Sequence, residues 1–205
     1  MKARHNWQAL LLWILANFFP IKVVSNQKDR QAFTKIWHEI WLEEEYAQPG
    51  ESIIEEYSRY DAFSVDLLIK FLIFPVGTFR FIHNNDEVGL PTLNDFAVKK
   101  CWSGDDKIVE ATLLTVKKKF RRRFSHILAL VLMRELARYC KRNGLKGPIM
   151  ACDKRLFFLM RQRLCFPIHQ IGQEKFYQGS ITYPVFINTE EFYMVMAKVN
   201  PFFVS

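Results

Sequence analysis

Nine residues of strand character, seven of concentrated positive charge and nineteen of helical spacing follow one another between Ile108 and Arg142. This succession constrains the chain more than any other stretch. Ile108, Val109, Ala111, Leu113, Leu114 and Val116 make 108–116 rich in the branched and apolar residues that strands favour. Six of the next seven residues are cations: Lys117, Lys118, Lys119, Arg121, Arg122 and Arg123. From 124 to 142, Ile127, Leu128, Val131, Leu132, Leu136 and Tyr139 recur at threes and fours, as on one face of a helix. First-turn amides of a helix lack an intrahelical acceptor and favour an anion in the turn before it. The unit therefore predicts a basic turn, 117–126, built to receive a negatively charged group.

The other elements arrange themselves around this one. Pro20 closes an apolar segment, and 21–25 reads as a short strand. Ser25 or Asn26 caps a helix that buries Phe33, Ile36, Trp37, Ile40 and Trp41 and ends near Tyr46. Residues 51–60 form helical turns or an ordered loop. Apolar strands within 61–73 and at 75–82 are joined most simply as a hairpin. The turn-rich connection 83–107 is long for a cored domain, and such loops often build binding sites. A strand at 148–152 precedes a helix capped by Asp153 and reaching Leu164, followed by a brief strand at 168–171. The tail supplies further strands in 183–187 and 192–199. An α/β architecture, a mixed sheet with helices on both faces, buries these elements.

Length and charge limit what such a chain can be. With 205 residues it can form one cored domain, 20–205, preceded by the apolar segment 1–19. Half the residues are hydrophobic, which argues against disorder. Residues 117–175 hold 16 Lys or Arg against Glu135, Asp153 and Glu174, whereas the remainder holds 13 against 18. A basic region in an otherwise acidic chain suits a recognition surface of one sign. Cys101, Cys140, Cys152 and Cys165 contain no CxxC pair and suit a reducing cytosol. The five histidines give no HExxH and no ligand cluster, so no metal is expected.

Residues 7–19, WQALLLWILANFF, lack a small-x-small cleavage site and fall short of the roughly 20 apolar residues that span a bilayer. A helix packed on the domain or on a partner is the expectation. A helix lying on the inner face of the membrane and an export signal are the alternatives. The expected location is cytoplasmic, with or without that peripheral contact.

The order of elements looks like the GNAT acyltransferase fold, and local strings sharpen the likeness. Tyr60-Asp61, VGTFRFI at 76–82, Leu90-Pro91 and EATLLTV at 110–116 resemble the acyl-homoserine-lactone synthases and the N-acyl amino acid synthases. The resemblance runs from residue 21 to residue 187 and implies a mixed, mostly antiparallel central sheet with helices on both faces. It also implies transfer of a fatty acyl group from a thioester on acyl carrier protein, or on coenzyme A, to an amine, with no tightly bound cofactor. The amine belongs to S-adenosylmethionine in the lactone synthases and to a free amino acid in the others. Here the lactone synthases' E-x-D-x-x-D becomes Glu56, Ser58 and Asp61, and their E-x-S-R-F becomes Glu110, Thr112, Leu113 and Leu114. These departures count against S-adenosylmethionine. The turn reads RRRFSH at 121–126 without the GNAT glycines, so donor binding would lean on side-chain cations.

Attack of an amine on a thioester requires a neutral nucleophile, a positioned donor and a stabilised oxyanion. Glu110, alone in an apolar strand before the cations, is the first candidate to bind or deprotonate the amine; otherwise it is an edge carboxylate paired with a cation. Asp61 and Glu56 are candidates to hold an ammonium group, or else surface acids. Arg80, in an apolar strand, must find an anionic partner or snorkel to water, and is a candidate site residue paired with Glu110 or Asp61. Lys117, Lys118, Arg121, Arg122 and Arg123, with Ser125 and His126, are candidates to cradle the donor phosphate and to face acidic acyl carrier protein. Cys152 reads as core more readily than as a nucleophile. A basic protein binding nucleic acid or an acidic protein without catalysis, and an inactive membrane-surface relative, are the competing classes. No zinc-finger spacing or RNA-binding strand motif supports nucleic acid.

Overall fold

Alternation of side chains along the strands decides the layering. In the computed structural model, which describes residues 14, 17–48, 50 and 53–199, eight strands form one sheet. They are β1 (Ile21–Val23), β2 (Ser64–Phe71), β3 (Phe74–His83), β4 (Ile108–Val116), β5 (Gly147–Asp153), β6 (His169–Gln170), β7 (Lys175–Tyr177) and β8 (Ser180–Phe186). The path runs β1-β2-β3-β4-β5-β8-β6, with β7 also on β8. Every pairing is antiparallel except β4 with β5.

Leu67 and Ile69 of β2 enter one core with Phe79, Phe81 and Val109, while Leu68 joins Ile82, Ile108 and Ile149 in another. Period-two side-chain placement puts the two sets on opposite faces. Helix α1 (Gln27–Glu43) covers the second set with Phe33, Ile36, Trp37, Ile40 and Trp41. Its cap is Asn26, whose side chain accepts a 2.9 Å hydrogen bond from the Asp29 amide. The short α2 (Ile53–Ser58) adds Ile53 and Tyr57 to this layer, and a 3-10 turn at Asp61–Phe63 leads into β2.

Two other helices cover the first set. α4 (Lys118–Arg142) contributes Leu128, Leu132 and Leu136, and α6 (Thr189–Val199) contributes Phe192 and Met196. The short α3 (Pro91–Asp95) precedes α4 in sequence, and α5 (Lys154–Phe158), prolonged by a π turn at Leu159–Arg163, lies between α4 and α6.

Several sequence expectations need correction. The basic run is not a turn: α4 begins at Lys118, and the Lys117 carbonyl accepts the Phe120 and Arg121 amides. Lys and Arg are good helix formers, and Phe120 extends the apolar stripe backward to meet Phe71 at 5.3 Å between ring centroids. A kink at Phe124, with φ −129° and ψ 17°, marks where helical periodicity was read as starting. Residues 192–199 are helical rather than extended. Asn188 accepts the Glu190 and Glu191 amides as a cap, and Phe192 and Met196 are buried one turn apart while Met194 is 62% exposed. The first hairpin strand begins at Ser64 and ends at Phe71, inside the expected 61–73. The connection 83–107 contains α3. Residues 7–13, 15 and 16 of the apolar segment lie outside the described residues; Phe18 and Pro20 accept amides from the edge of β2. Among the described residues, no helix is long and apolar enough to cross a membrane.

Candidate active site

The sheet divides at the one parallel pair among its described strands. β4 and β5 are in register at Ile108↔Gly147, Val109↔Pro148 and Glu110↔Ile149, and there the pairing stops. β5 continues along β8 to Asp153, while β4 continues along β3 to Val116. A bulge turns β4 away: Thr78 pairs with Thr115 but Arg80 with Thr112, so two residues of β4 oppose Phe79. Leu113 in the bulge takes φ 49°, a left-handed conformation that side chains rarely adopt. The buried Thr78 hydroxyl pins it, lying 2.9 Å from the Leu113 carbonyl and 2.6 Å from Thr115 Oγ1.

Two clefts open where the strands part, sharing Tyr46, Leu114, Asp153 and Leu156. The first is narrow and lined by Glu110, Thr92, Thr112, Trp41, Tyr57 and Tyr177 among others. The second has a volume of about 420 Å³. Lys118, Arg121, Arg122 and Ser125 line one part of it, and Leu114, Val116, Leu128, Leu132, Leu156 and Leu159 make its apolar wall.

Glu110 is the last β4 residue of the parallel register and is 1% exposed. The Thr92 amide donates to Glu110 Oε2 and the Thr92 hydroxyl to Oε1, both at 2.8 Å. Thr92 is in the first turn of α3, after Pro91, so the long connection folds back to bring these donors in. Burial pushes the Glu110 carboxyl up to about 8, outweighing the opposite effect of the Thr92 bonds. A carboxyl poised there can take a proton near neutrality. Tyr57 stands nearby, its hydroxyl bonded to Gln178 and Thr112 and pushed up by burial.

The other sequence candidates fall into separate groups. Arg80 is 4% exposed and meets Asp61 Oδ1 at 2.7 Å. Its main partner is Asp66, at 2.5 Å through Nε and 3.0 Å through Nη2, and it also donates to the Tyr57 carbonyl at 3.0 Å. Arg30 adds a second cation to Asp66. No bond joins Arg80 to Glu110. Asp61 and Arg80 line neither cleft, whereas exposed Glu56 lines an adjacent groove with Glu45, Tyr46 and Gln178. Sequence reading missed Asp66. Its signal was an acid in an apolar strand directly across from Arg80.

The basic run divides as well. Arg121 bonds Glu44 at 2.7 Å, Lys118 stands 3.4 Å from Glu43, and Arg155 also reaches Glu44, at 3.3 Å. Lys118, Arg121, Arg122 and Ser125 line the larger cleft; Lys117, Arg123 and His126 do not. Lys117, Lys119, Arg122 and Arg123 make no ion pair among the described residues. Asp153 caps α5 by accepting the Arg155 and Leu156 amides at 2.7 and 3.1 Å, and lies 3.4 Å from the Tyr46 hydroxyl. Thr92, Tyr46 and the position of Asp153 beside both clefts were missed in the sequence, since each depends on where distant elements meet. Cys152 is fully buried, and burial holds its thiol well above the ordinary range, as in a core side chain.

The mixed, mostly antiparallel eight-stranded sheet with helices on both faces matches the GNAT acyltransferase fold of solved structures. No protein-family model matches the sequence, and no curated protein matches it significantly. Among solved structures, FeeM, an N-acyl amino acid synthase from uncultured soil microbes, is similar with a TM-score of 0.67 and 14% identity over 88% of this chain and 98% of its own. BjaI, a CoA-dependent acyl-homoserine lactone synthase, gives 0.60 and 16% over 88% and 89%. Spermidine N-acetyltransferase from Vibrio cholerae gives 0.56 and 10% over 86% and 98%. With identities this low, the structural likeness shows a shared fold.

Proposed function

We propose that this protein is an N-acyltransferase that moves a fatty acyl group from a thioester of acyl carrier protein, or of coenzyme A, to the amine of an amino acid or related small molecule. One observation carries the reading: a buried carboxyl in a narrow cleft meets, at the parting of β4 and β5, a larger cleft that is cationic on one side and apolar on the other. The two clefts suit the two substrates. Lys118, Arg121, Arg122 and Ser125 hold the donor's phosphate, and the Leu128, Leu132 and Leu159 wall receives its acyl chain. Lys117, Lys119 and Arg123, beside the cleft, attract the acidic surface of a carrier protein and steer its approach.

The amine binds near Glu110, which takes its proton so that a neutral nitrogen attacks the thioester carbonyl. The tetrahedral intermediate then collapses, the carbon–sulfur bond breaks, and the leaving thiolate takes up the proton that the nitrogen sheds as the amide forms. Glu56, at the adjacent groove, draws the ammonium form inward. Asp61, Arg80 and Asp66 hold β2 and β3 in the register that carries β4.

The test is transfer of a labelled long-chain acyl group from carrier protein and from coenzyme A to a panel of amines, by wild type and by Glu110→Gln. Product from wild type and a loss of about 100-fold or more in the variant are expected. Absence of product with every amine, together with no binding of either donor, would sink the reading.

A further inference from the structure

The narrow cleft also limits which amine it can take. Its described lining contains no Lys, Arg or His; its ionisable groups with carboxyl chemistry are Glu110, which burial keeps protonated to about pH 8, and Asp153. Trp41, Tyr46, Tyr57 and Tyr177 surround them. The adjoining groove, which shares Tyr46 and Gln178, adds Glu45 and Glu56 and again no cation among its described residues. Arg121, Arg122 and Arg155 line the donor cleft instead, where Glu44 holds Arg121 and Arg155.

Carboxylates with aromatic rings form a setting for an ammonium group, which gains from both. An α-amino acid would bring a second, negative group to within a few ångströms of the ammonium. With no guanidinium in the described lining to receive it, that group loses its water and meets Asp153, and also Glu110 once that carboxyl has given up its proton. We infer that the acceptor is a primary amine without a carboxylate, aromatic or aliphatic, rather than a free α-amino acid. This rests on the acyltransferase reading and narrows it.

Matched acceptors that differ only by the carboxylate test it: tyramine against tyrosine, and phenethylamine against phenylalanine, with a lauroyl thioester as donor. In each pair kcat/KM is expected to favour the amine by about 100-fold. Tyrosine methyl ester, larger than tyrosine but without its negative charge, is expected to recover most of that loss. Asp153→Asn keeps a side-chain oxygen to cap α5 and is expected to shrink the ratio several-fold.

Equal or better use of the amino acids would overturn this inference while leaving the acyltransferase reading in place. Rejection of the ester along with tyrosine would assign the preference to size and overturn it too. Absence of product from every acceptor would overturn the parent reading, and the inference with it.

Discussion

At Glu110, burial and hydrogen bonding pull in opposite directions. Two donors from Thr92 favour the carboxylate, yet removal from water wins and raises the carboxyl from an ordinary 4.5 to about 8. The folded chain thus keeps this proton to higher pH than the unfolded chain. The resulting stabilisation is full below about pH 4.5 and is lost as pH rises through about 8, by about 1.4 kcal/mol for each pH unit spanned. Glu110→Gln imitates the protonated side chain, with its oxygen toward the Thr92 amide. Urea midpoints should therefore favour the variant over wild type increasingly between pH 5 and pH 8.5. Acyl transfer should move the other way, rising in wild type toward pH 8 and staying low and flat in the variant. Arg80 presents a different balance, because its partner Asp66 is 1% exposed at the side chain and cannot return to water. Arg80→Met should cost about 3–5 kcal/mol in chemical denaturation, and the double variant Arg80→Met, Asp66→Leu should recover most of it.

α4 shows how an element can be legible in content and misread in form. Its cations and the apolar stripe from Ile127 onward stand out in the sequence, but its start does not. Six cations in seven residues repel one another in an isolated helix, and among the described residues Glu43 at the end of α1 and Glu44 just after it offset that repulsion. If the helix holds the donor, Lys118→Ala with Arg122→Ala should raise KM for the thioester about tenfold or more, with kcat little changed. The effect should fade above about 0.5 M salt. Glycine marks a second element-level constraint. A Cβ at Gly147, where β5 first pairs with β4, would come within 1.9 Å of the Ile187 carbonyl oxygen. Gly147→Ala should therefore cost at least about 2 kcal/mol. α6 was misread because an apolar run of eight residues fits either period, and the signal that decides it, Asn188 before two acids, is local and brief.

At the scale of the whole molecule, the candidate cleft is a defect in the sheet kept open by packing on both faces. If its apolar wall receives the acyl chain, Ala129→Phe should fill it and shift donor preference toward shorter chains, as read by competition between octanoyl and palmitoyl thioesters. The sequence by itself determined the strand, basic run and helix order, the hairpin, the core stripe of α1 and the isolation of Glu110 and Arg80 among apolar neighbours. Those features rest on periodicity and on charge in apolar surroundings, which neighbouring residues suffice to express. Only the tertiary structure decided that Thr92, 18 residues earlier, holds Glu110, that Asp66 rather than Glu110 answers Arg80, and that Asp153 and Tyr46 stand beside both clefts. Each of these pairings depends on the register and splay of strands far apart in the chain. Register is set by the summed packing of two sheet faces, a quantity that no single stretch of residues contains.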